Sequence, residues 1–569
     1  MSISIEETAS GTNADAVAEH ERFNELAARM ARGESPPLED VHELTRATDR
    51  VVRGQAKRLL AFVLMHQARQ SAAALMVDAC EEFDYCEPIS LRETVRQLQE
   101  TGQIPALIKI CIKAAERLGA HGQVIPALGA LQNALVTDIG HGSVNVNDPK
   151  FVRRVMRAYE LVAEPAMRRI SVKPAQRGRR RSPVGGKYRM AHVAAQLVDG
   201  GHAPSRSIET MMKLADRERF DTVLCVTDSL SPHSEQPPQL IASHTSDRRA
   251  PRRIRKIQEE YGIPVLLPRD RRTFLTAAAD LHAQLAEHQI DIVLFHGSIA
   301  TPTEWLMCAW QAAPWQADEG FGIPLHCPAV DFQFFEFEET MEALAFWCRE
   351  RRVGYGLKKA GADMSHVETA QAFTREELRI PADHVILGTV GNHLPKRMSP
   401  RFCRTVAQVL RECPKSTFLV VGPGNFDGQI KALGADLCHA QNGAPRVRFT
   451  GHQNEPERMT KCFDIYLNSY PDGGGFVIGD AMAASKPVVA MVAGDSTYAQ
   501  AAKAWLSEEN LVTPATDAQY AQRIKELIED SAEREEFGKK MRRHFEERHD
   551  ARRWMESMTD RIMEIIENS

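Results

Sequence analysis

Three consecutive glycines, Gly473-Gly474-Gly475, followed by an acid at Asp480, form the arrangement in this chain best suited to chemistry. They stand between a short apolar run, Cys462 to Leu467, and a segment where Phe476, Ile478, Ala481 and Met482 recur at helical spacing; a second apolar run starts at Pro487. Glycines at a strand-to-helix junction let backbone N–H groups approach a phosphate with no Cβ in the way, and the following helix points its positive end at the same spot. A carboxylate about one turn into that helix is placed to accept hydrogen bonds from ribose hydroxyls. Strand, glycine loop and helix with an internal acid read as a nucleoside-diphosphate site. Its place near the C-terminus differs from that of dinucleotide-binding motifs, which open their domains.

The elements that must position this loop belong to a 569-residue chain, long enough for roughly three to four domains. Its 43% hydrophobic and 26% charged residues are those of an ordinary globular protein, and a net charge of −5 gives no general attraction to nucleic acid or anionic lipid. No apolar run approaches the roughly 18 residues of a membrane helix. The acidic, polar N-terminal residues lack the basic-then-apolar layout of a secretory signal. Eleven scattered cysteines without a CxxC pair read as reduced thiols, so a cytoplasmic protein is expected. The 20 histidines form no clustered ligand set, and no metal or cofactor is expected.

Residues 1–35 read as a mobile tail, and 36–165 as an irregular all-α domain with apolar residues at three- and four-residue steps and no 34-residue repeat. Residues 166–187 form a basic linker containing RGRRRSPVGGK, read as a solvated connector rather than a polyanion contact. From 188 the pattern alternates strand and helix. Strands are predicted at Tyr188–Leu197, Thr222–Val226, Pro264–Leu267, Asp291–Phe295 and Gly322–Leu325, with a helix over Phe274–Glu287. A second series spans 381–569, with strands in VILGTVGN, STFLVVGPG, VRFTG, FDIYLN and PVVAMV, and a terminal helix long enough to reach back across both domains. The fold class is α/β: two doubly wound Rossmann-like domains, 188–380 and 381–569, preceded by helices, with a cleft between them.

That layout is the layout of GT-B glycosyltransferases, and within it the residues resemble the O-GlcNAc transferase family, including bacterial relatives that glycosylate adhesin or flagellin in the cytoplasm. Gly391-Asn392-His393-Leu394-Pro395-Lys396, with Pro400 after it, is similar to the family's FNxxxK segment. Arg446 to Phe449 with Gly451-His452-Gln453 resembles its strand and nucleobase-contacting loop, and Gly474 to Val489 resembles its TTxDxLWxGxPVV helix. Asp199-Gly200-Gly201-His202-Ala203-Pro204 resembles the DFxxHP loop, whose histidine lies beside the acceptor, and Ala313-Pro314-Trp315-Gln316 resembles APxQ. The resemblance runs from the basic linker to the C-terminus and is patchy in the first domain. It departs from the family where Gly-Phe-Val-Ile-Gly replaces the Thr pair and Ala484-Ser485-Lys486 replaces the tryptophan-glycine region. The helical N-terminal domain suits the adhesin N-glycosyltransferases better than a tetratricopeptide array. Retaining GT-B enzymes are a rival match, because Asp472 and Asp480 share the eight-residue spacing of their paired glutamates, but the order GGGF is not their EGFG.

The resemblance implies an inverting, metal-independent transfer from a UDP-sugar, UDP-GlcNAc or UDP-glucose, to a protein acceptor docked by the helical domain. Such transfer needs charge stabilisation on the leaving diphosphate, an exposed anomeric carbon and a positioned acceptor. Lys396 is the expected cation on the diphosphate, with Asn392 fixing its loop or touching the donor. Gly473, Gly474, Gly475 and Phe476 at the helix start would cradle the phosphates, Asp480 would hold the ribose, and His452 and Gln453 would meet the base. His202 would orient the acceptor or take its proton, with His296 as the runner-up. The basic run Arg248 to Lys256 reads as a solvated helix face. Two other readings stand beside this one: a GT-B transferase building a glycan, lipid-linked sugar or small glycoside, and a scaffold that binds a sugar nucleotide without turning it over.

Overall fold

The computed structural model describes residues 14–32, 34, 37–64, 69–83, 85, 88–140, 148–177, 186–199, 202–228, 251–319, 323–358, 361–439, 444–471, 473–491, 497–506 and 514–567. The centre of the basic linker, the start of the basic run at Arg248 and Asp472 lie outside them.

Two parallel sheets follow a set of helices. The first contains β1 (Tyr188–Ala194), β2 (Phe220–Val226), β3 (Val265–Leu266), β4 (Ile292–Phe295), β5 (Trp315–Asp318), β6 (Phe332–Phe335) and β7 (Gly354–Leu357), ordered β3-β2-β1-β4-β5-β6-β7. The second contains β8 (Val385–Val390), β9 (Ser416–Val421), β10 (Val447–Gly451), β11 (Ile465–Leu467) and β12 (Val488–Val489), ordered β10-β9-β8-β11-β12. Each sheet reverses its strand order once, between β1 and β4 and between β8 and β11. In doubly wound sheets the crevice at such a reversal, beyond the strands' carboxyl ends, is where ligands bind.

The first sheet is buried on both faces, and alternate residues go to different cores. Ala191, Val193, Val223, Cys225, Val293 and Phe295 pack with the helices Ile104–Ala120, Val124–Gly140 and Pro149–Ile170. Met190, Leu224, Ile292 and Leu294 pack with the helix Ala203–Lys213 and with Trp554, Met555, Met558 and Ile562 of the terminal helix Ala551–Glu567. The terminal helix therefore does return to the first domain. The helices Ile104–Ala120, Val124–Gly140 and Pro149–Ile170 form one wall of the first domain's core, while the helices over residues 14–64 pack in small clusters of their own. Tyr159 stacks on Trp305 with ring centroids 4.5 Å apart, and its hydroxyl donates to the Ile299 carbonyl at 2.8 Å.

Several boundaries differ from the sequence expectation. Ala14–Ala31, within the stretch read as a mobile tail, is a helix. Its Leu26 packs with Val41, Leu44 and Val52, and its Glu19 carboxylate accepts from the Thr48 and Asp49 amides at 2.9 and 3.0 Å. The helix Pro149–Ile170 runs into the expected linker, and Arg177 beyond it pairs with Asp331 at 2.9 Å. Ala362, Met364, Val367 and Ile380 pack in the second domain's core, so the crossover comes earlier than residue 380.

The second sheet forms where its sequence indicated, and so does the helix Phe274–Glu287. In the first sheet, residues 323–325 are not a strand, while β5, β6 and β7 escaped the reading. These short strands carry buried polar residues that break the apolar signal. Gln316 donates to the Cys308 and Ala329 carbonyls at 3.0 and 3.1 Å, Asp318 accepts from the Leu325 amide, and Gln333 donates to the Phe334 carbonyl at 3.0 Å. Each polar group is acceptable in the core because it is bonded there. Among the described residues no helix is long and apolar enough to cross a membrane.

Trp554, 4% exposed, is the largest of the terminal-helix side chains packed with the first sheet. Trp554→Ala is expected to cost about 3–5 kcal/mol, the usual range for emptying a large aromatic site. Denaturant unfolding measures it.

Candidate active site at the interdomain cleft

The loops after β8 and β11, the two strands at the second sheet's reversal, carry the predicted donor residues. After β8, Asn392 and Lys396 are both exposed, and Lys396 sits on the short helix Leu394–Arg397. After β11 comes the glycine loop, then the helix Phe476–Ala483 with Gly475 at its N-cap position. The two loops meet: a Cβ on Gly474 would lie 3.6 Å from Arg397 Nη1. Arg397 thus places a cation beside the glycines, and Lys396 precedes it on the same short helix; only the lysine was foreseen.

The glycines are needed for close packing as well as for any ligand. A Cβ on Gly473 would run into the Asn468 amide, and the Asn468 Oδ1 accepts the Gly474 N–H at 2.9 Å. Behind the helix, Gly479 lets the Trp505 indole come close, since a Cβ there would stand 2.8 Å from that ring. The Gly474 amide is therefore already bonded within the loop. Asn468 ends the strand that leads into the loop, and its role as the loop's brace had no sequence signal of its own. Phe476 packs edge-on against Trp505 at 5.8 Å, so its ring supports the helix start.

Asp480 is buried, 6% exposed, and is met from the other domain. Arg206 Nη2 donates to its Oδ1 at 3.0 Å and Nη1 to its Oδ2 at 3.4 Å. His366, on the segment between the domains, places Nε2 3.1 Å from Oδ1 and 2.7 Å from Arg206 Nη2. It accepts from the guanidinium in one tautomer and donates to the carboxylate in the other. Burial works to raise the Asp480 carboxyl, but the charge of Arg206 and the His366 hydrogen bond outweigh it and hold the group well below the usual carboxylate range.

His452 and Gln453 follow β10, the edge strand, rather than the strands of the reversal. His452 is exposed and Gln453 donates to the Thr450 carbonyl at 3.0 Å. They flank the site across β9, whose following residue Gly422 bridges to Gly451.

On the first domain, His202 follows β1 at that sheet's own reversal. It is the N-cap of Ala203–Lys213: its Nδ1 lies 2.8 Å from Ser205 Oγ, and its Nε2 lies 3.4 Å from the Gln196 amide nitrogen. Because Arg206 on the same helix touches Asp480, the His202 end of this helix and the Asp480 helix face one another across the cleft. The runner-up His296 is deeply buried instead, in a row His192–His296–Glu319–Lys358. Burial would raise the Glu319 carboxyl, but Lys358 and His296 hold it down. This row ties the carboxyl ends of β1, β4, β5 and β7 together.

This geometry agrees with comparison to known proteins. Residues 384–530 match the family described as glycosyl transferases group 1. A mutant O-GlcNAc transferase from Thermobaculum terrenum aligns over 98% of this chain and 99% of its own, with 16% identity and a TM-score of 0.53. The chain has the GT-B fold, and its second domain is a glycosyltransferase domain. A Rickettsia africae glycosyltransferase covers 67% of this chain and 100% of its own at 15% identity and TM-score 0.49, and Anabaena HepE with UDP and glucose covers 66% and 100% at 16% and 0.47. No curated protein matches the sequence.

Within this GT-B frame one departure from the family motif gains a physical meaning. Ser485 stands where that motif carries glycine, and it adopts a left-handed backbone with φ of 56°. A residue with a Cβ pays roughly 1 kcal/mol for that conformation.

The Asn468 brace is open to test. Gly473→Ala should displace the Asn468 side chain and release the Gly474 N–H, lowering stability by about 1–3 kcal/mol, typical of a forced side-chain shift. Thermal or urea unfolding of the variant checks this, with Asn468→Ala expected to shift in the same direction.

Proposed function

We propose that this GT-B enzyme transfers a sugar from a UDP-sugar, UDP-GlcNAc or UDP-glucose, to a protein acceptor, with inversion at the anomeric carbon and without a metal. The observation that carries the donor half is the meeting of two loops at the reversal of the second sheet: cations Lys396 and Arg397 after β8, and the glycine loop with its helix and Asp480 after β11. A diphosphate laid there has the helix N-terminus on one side and two cations on the other, so charge that builds as the leaving group departs is stabilised where it forms. Asp480 takes a ribose hydroxyl. The uridine preference rests on the resemblance to O-GlcNAc transferases and on His452 and Gln453 at the flank.

The acceptor half rests on His202, at the first sheet's reversal and across the cleft from Asp480. In an inverting displacement the acceptor's lone pair forms the new bond to the anomeric carbon from the face opposite the diphosphate. The old carbon–oxygen bond breaks with its electrons going to the diphosphate, and the acceptor proton passes to a base. His202 orients the acceptor or takes that proton. The helical region, continuous with the first domain's core, supplies the surface that docks a protein.

A thermal-shift titration with UDP, GDP and ADP tests the donor site. UDP is expected to raise the unfolding midpoint, by the equivalent of about 2.7 kcal/mol at a hundred times its dissociation constant. GDP and ADP should give far less, and Lys396→Ala or Asp480→Asn should blunt the rise. A rise with GDP or ADP alone, or one indifferent to both substitutions, would sink the assignment. Incorporation of labelled sugar into protein rather than glycan or lipid then separates the acceptor classes.

A further inference from the structure

Arg206 is an unusual presence at a donor site, because it comes from the other domain, 274 residues away in sequence from the carboxylate it meets. It stands on the helix capped by His202, and only 18% of its side chain is exposed. Besides Asp480 it reaches Met364 Sδ at 3.4 Å and His366, and its guanidinium carbon lies 5.8 Å from the Phe476 ring centre, over the residue that opens the glycine-loop helix. One side chain thus touches the first domain, the connecting segment and the donor helix.

The hydrogen-bond capacity of Asp480 says what this arrangement permits. A carboxylate offers about four acceptor positions. Among the described residues, Oδ1 is met by Arg206 and His366, and Oδ2 by Arg206 alone through the longer contact. One position on Oδ2 is left for a hydroxyl, so a ribose can be received without dismantling the ion pair. An Asp480 side chain freed from Arg206 would be held at Oδ1 by His366 alone, with Oδ2 no longer aimed by a second contact.

We propose that Arg206 is a positioning residue lent to the donor site by the first domain: it aims the Asp480 carboxylate at the ribose of a nucleoside diphosphate. This rests on the nucleoside-diphosphate reading of the second domain. A pH dependence follows from the surroundings of Asp480. The charged and titratable groups facing the Asp480–Arg206 pair are His366, then Asp363, Glu457 and Arg253, which act on Arg206, and Tyr466, which feels both Asp480 and Arg397. Without Arg206 the burial of Asp480 is opposed by His366 alone, so its carboxyl protonates at a higher pH than in the intact protein. Ribose binding that needs the carboxylate is then lost as pH falls through that raised value, whereas the intact pair keeps it.

The test is calorimetric titration of the full chain with UDP and with 2′,3′-dideoxy-UDP at several pH values from 8 to 5, for the native protein, Arg206→Ala, Arg206→Lys and Lys396→Ala. The native protein should bind UDP more tightly than the dideoxy compound across the range. Arg206→Ala should weaken UDP binding roughly 10-fold or more at neutral pH, lose further affinity toward pH 5, and no longer distinguish the two ligands. Arg206→Lys keeps the charge without the two-pronged geometry; it should fall between, and it carries the test if the alanine variant does not fold. Retention of the full dideoxy penalty and the native pH profile in both Arg206 variants overturns the proposal. If Lys396→Ala still abolishes binding in that case, the donor site stands and only Arg206's role falls. Absence of UDP binding by the native protein overturns both readings.

Discussion

A buried carboxylate must be partnered, and in this protein the partner of Asp480 lies in another domain. Outside water an ionised group is stable only with opposite charge and hydrogen bonds close by. Arg206 and His366 supply both, and they can do so only if the first domain and the connecting segment are folded against the second. Other ties run along the same seam: Lys213 to Asp363, and Lys503 to Glu339 at 3.0 Å. The chain itself crosses twice, side by side, where Ala362 pairs with Asp550 and its amide donates to the His549 carbonyl at 3.1 Å. The cleft is therefore framed by two adjacent strands of chain and by charge pairs.

The second domain could be read almost completely from its sequence, because its strands are runs of Val, Ile, Leu and Phe separated by helix-length segments. Val385–Val390 and Ser416–Val421 have little in them to mislead. The first domain hid half of its sheet. Trp315–Asp318 and Phe332–Phe335 alternate large apolar residues with Gln316, Asp318 and Gln333, whose polarity suggests loop until their buried hydrogen bonds are seen. Gly354–Leu357 contains two glycines and lies at an edge. The N-terminal helix was missed for another reason: what holds it is Leu26 packing on Val41, Leu44 and Val52 and Glu19 reaching the Thr48 and Asp49 amides, contacts between distant residues.

The candidate site divides along the same line. The glycine loop, Asp480 and Lys396 are local patterns at strand ends and were visible. Arg206, His366 and Asn468 act through pairings that no local spacing encodes, and Arg397 was overshadowed by its lysine neighbour. His202 was found by resemblance, and its capping bond to the Ser205 amide explains why a histidine can hold a fixed orientation there.

The helices that precede the first sheet share its core through Tyr159, Trp305 and Trp310, and Arg351 and Arg153 clamp the seam to Glu160 and Glu350. Among the described residues, the helices Ile104–Ala120, Val124–Gly140 and Pro149–Ile170 pack directly on the sheet. Whatever such a surface grips is held at a constant distance and bearing from the carboxyl ends of β1 and β4. On the proposed docking of a protein acceptor, the helical region would act as a ruler: the fold would set the separation between the docked segment and the point of reaction, so that only a partner whose reactive residue lies at the matching span could present it.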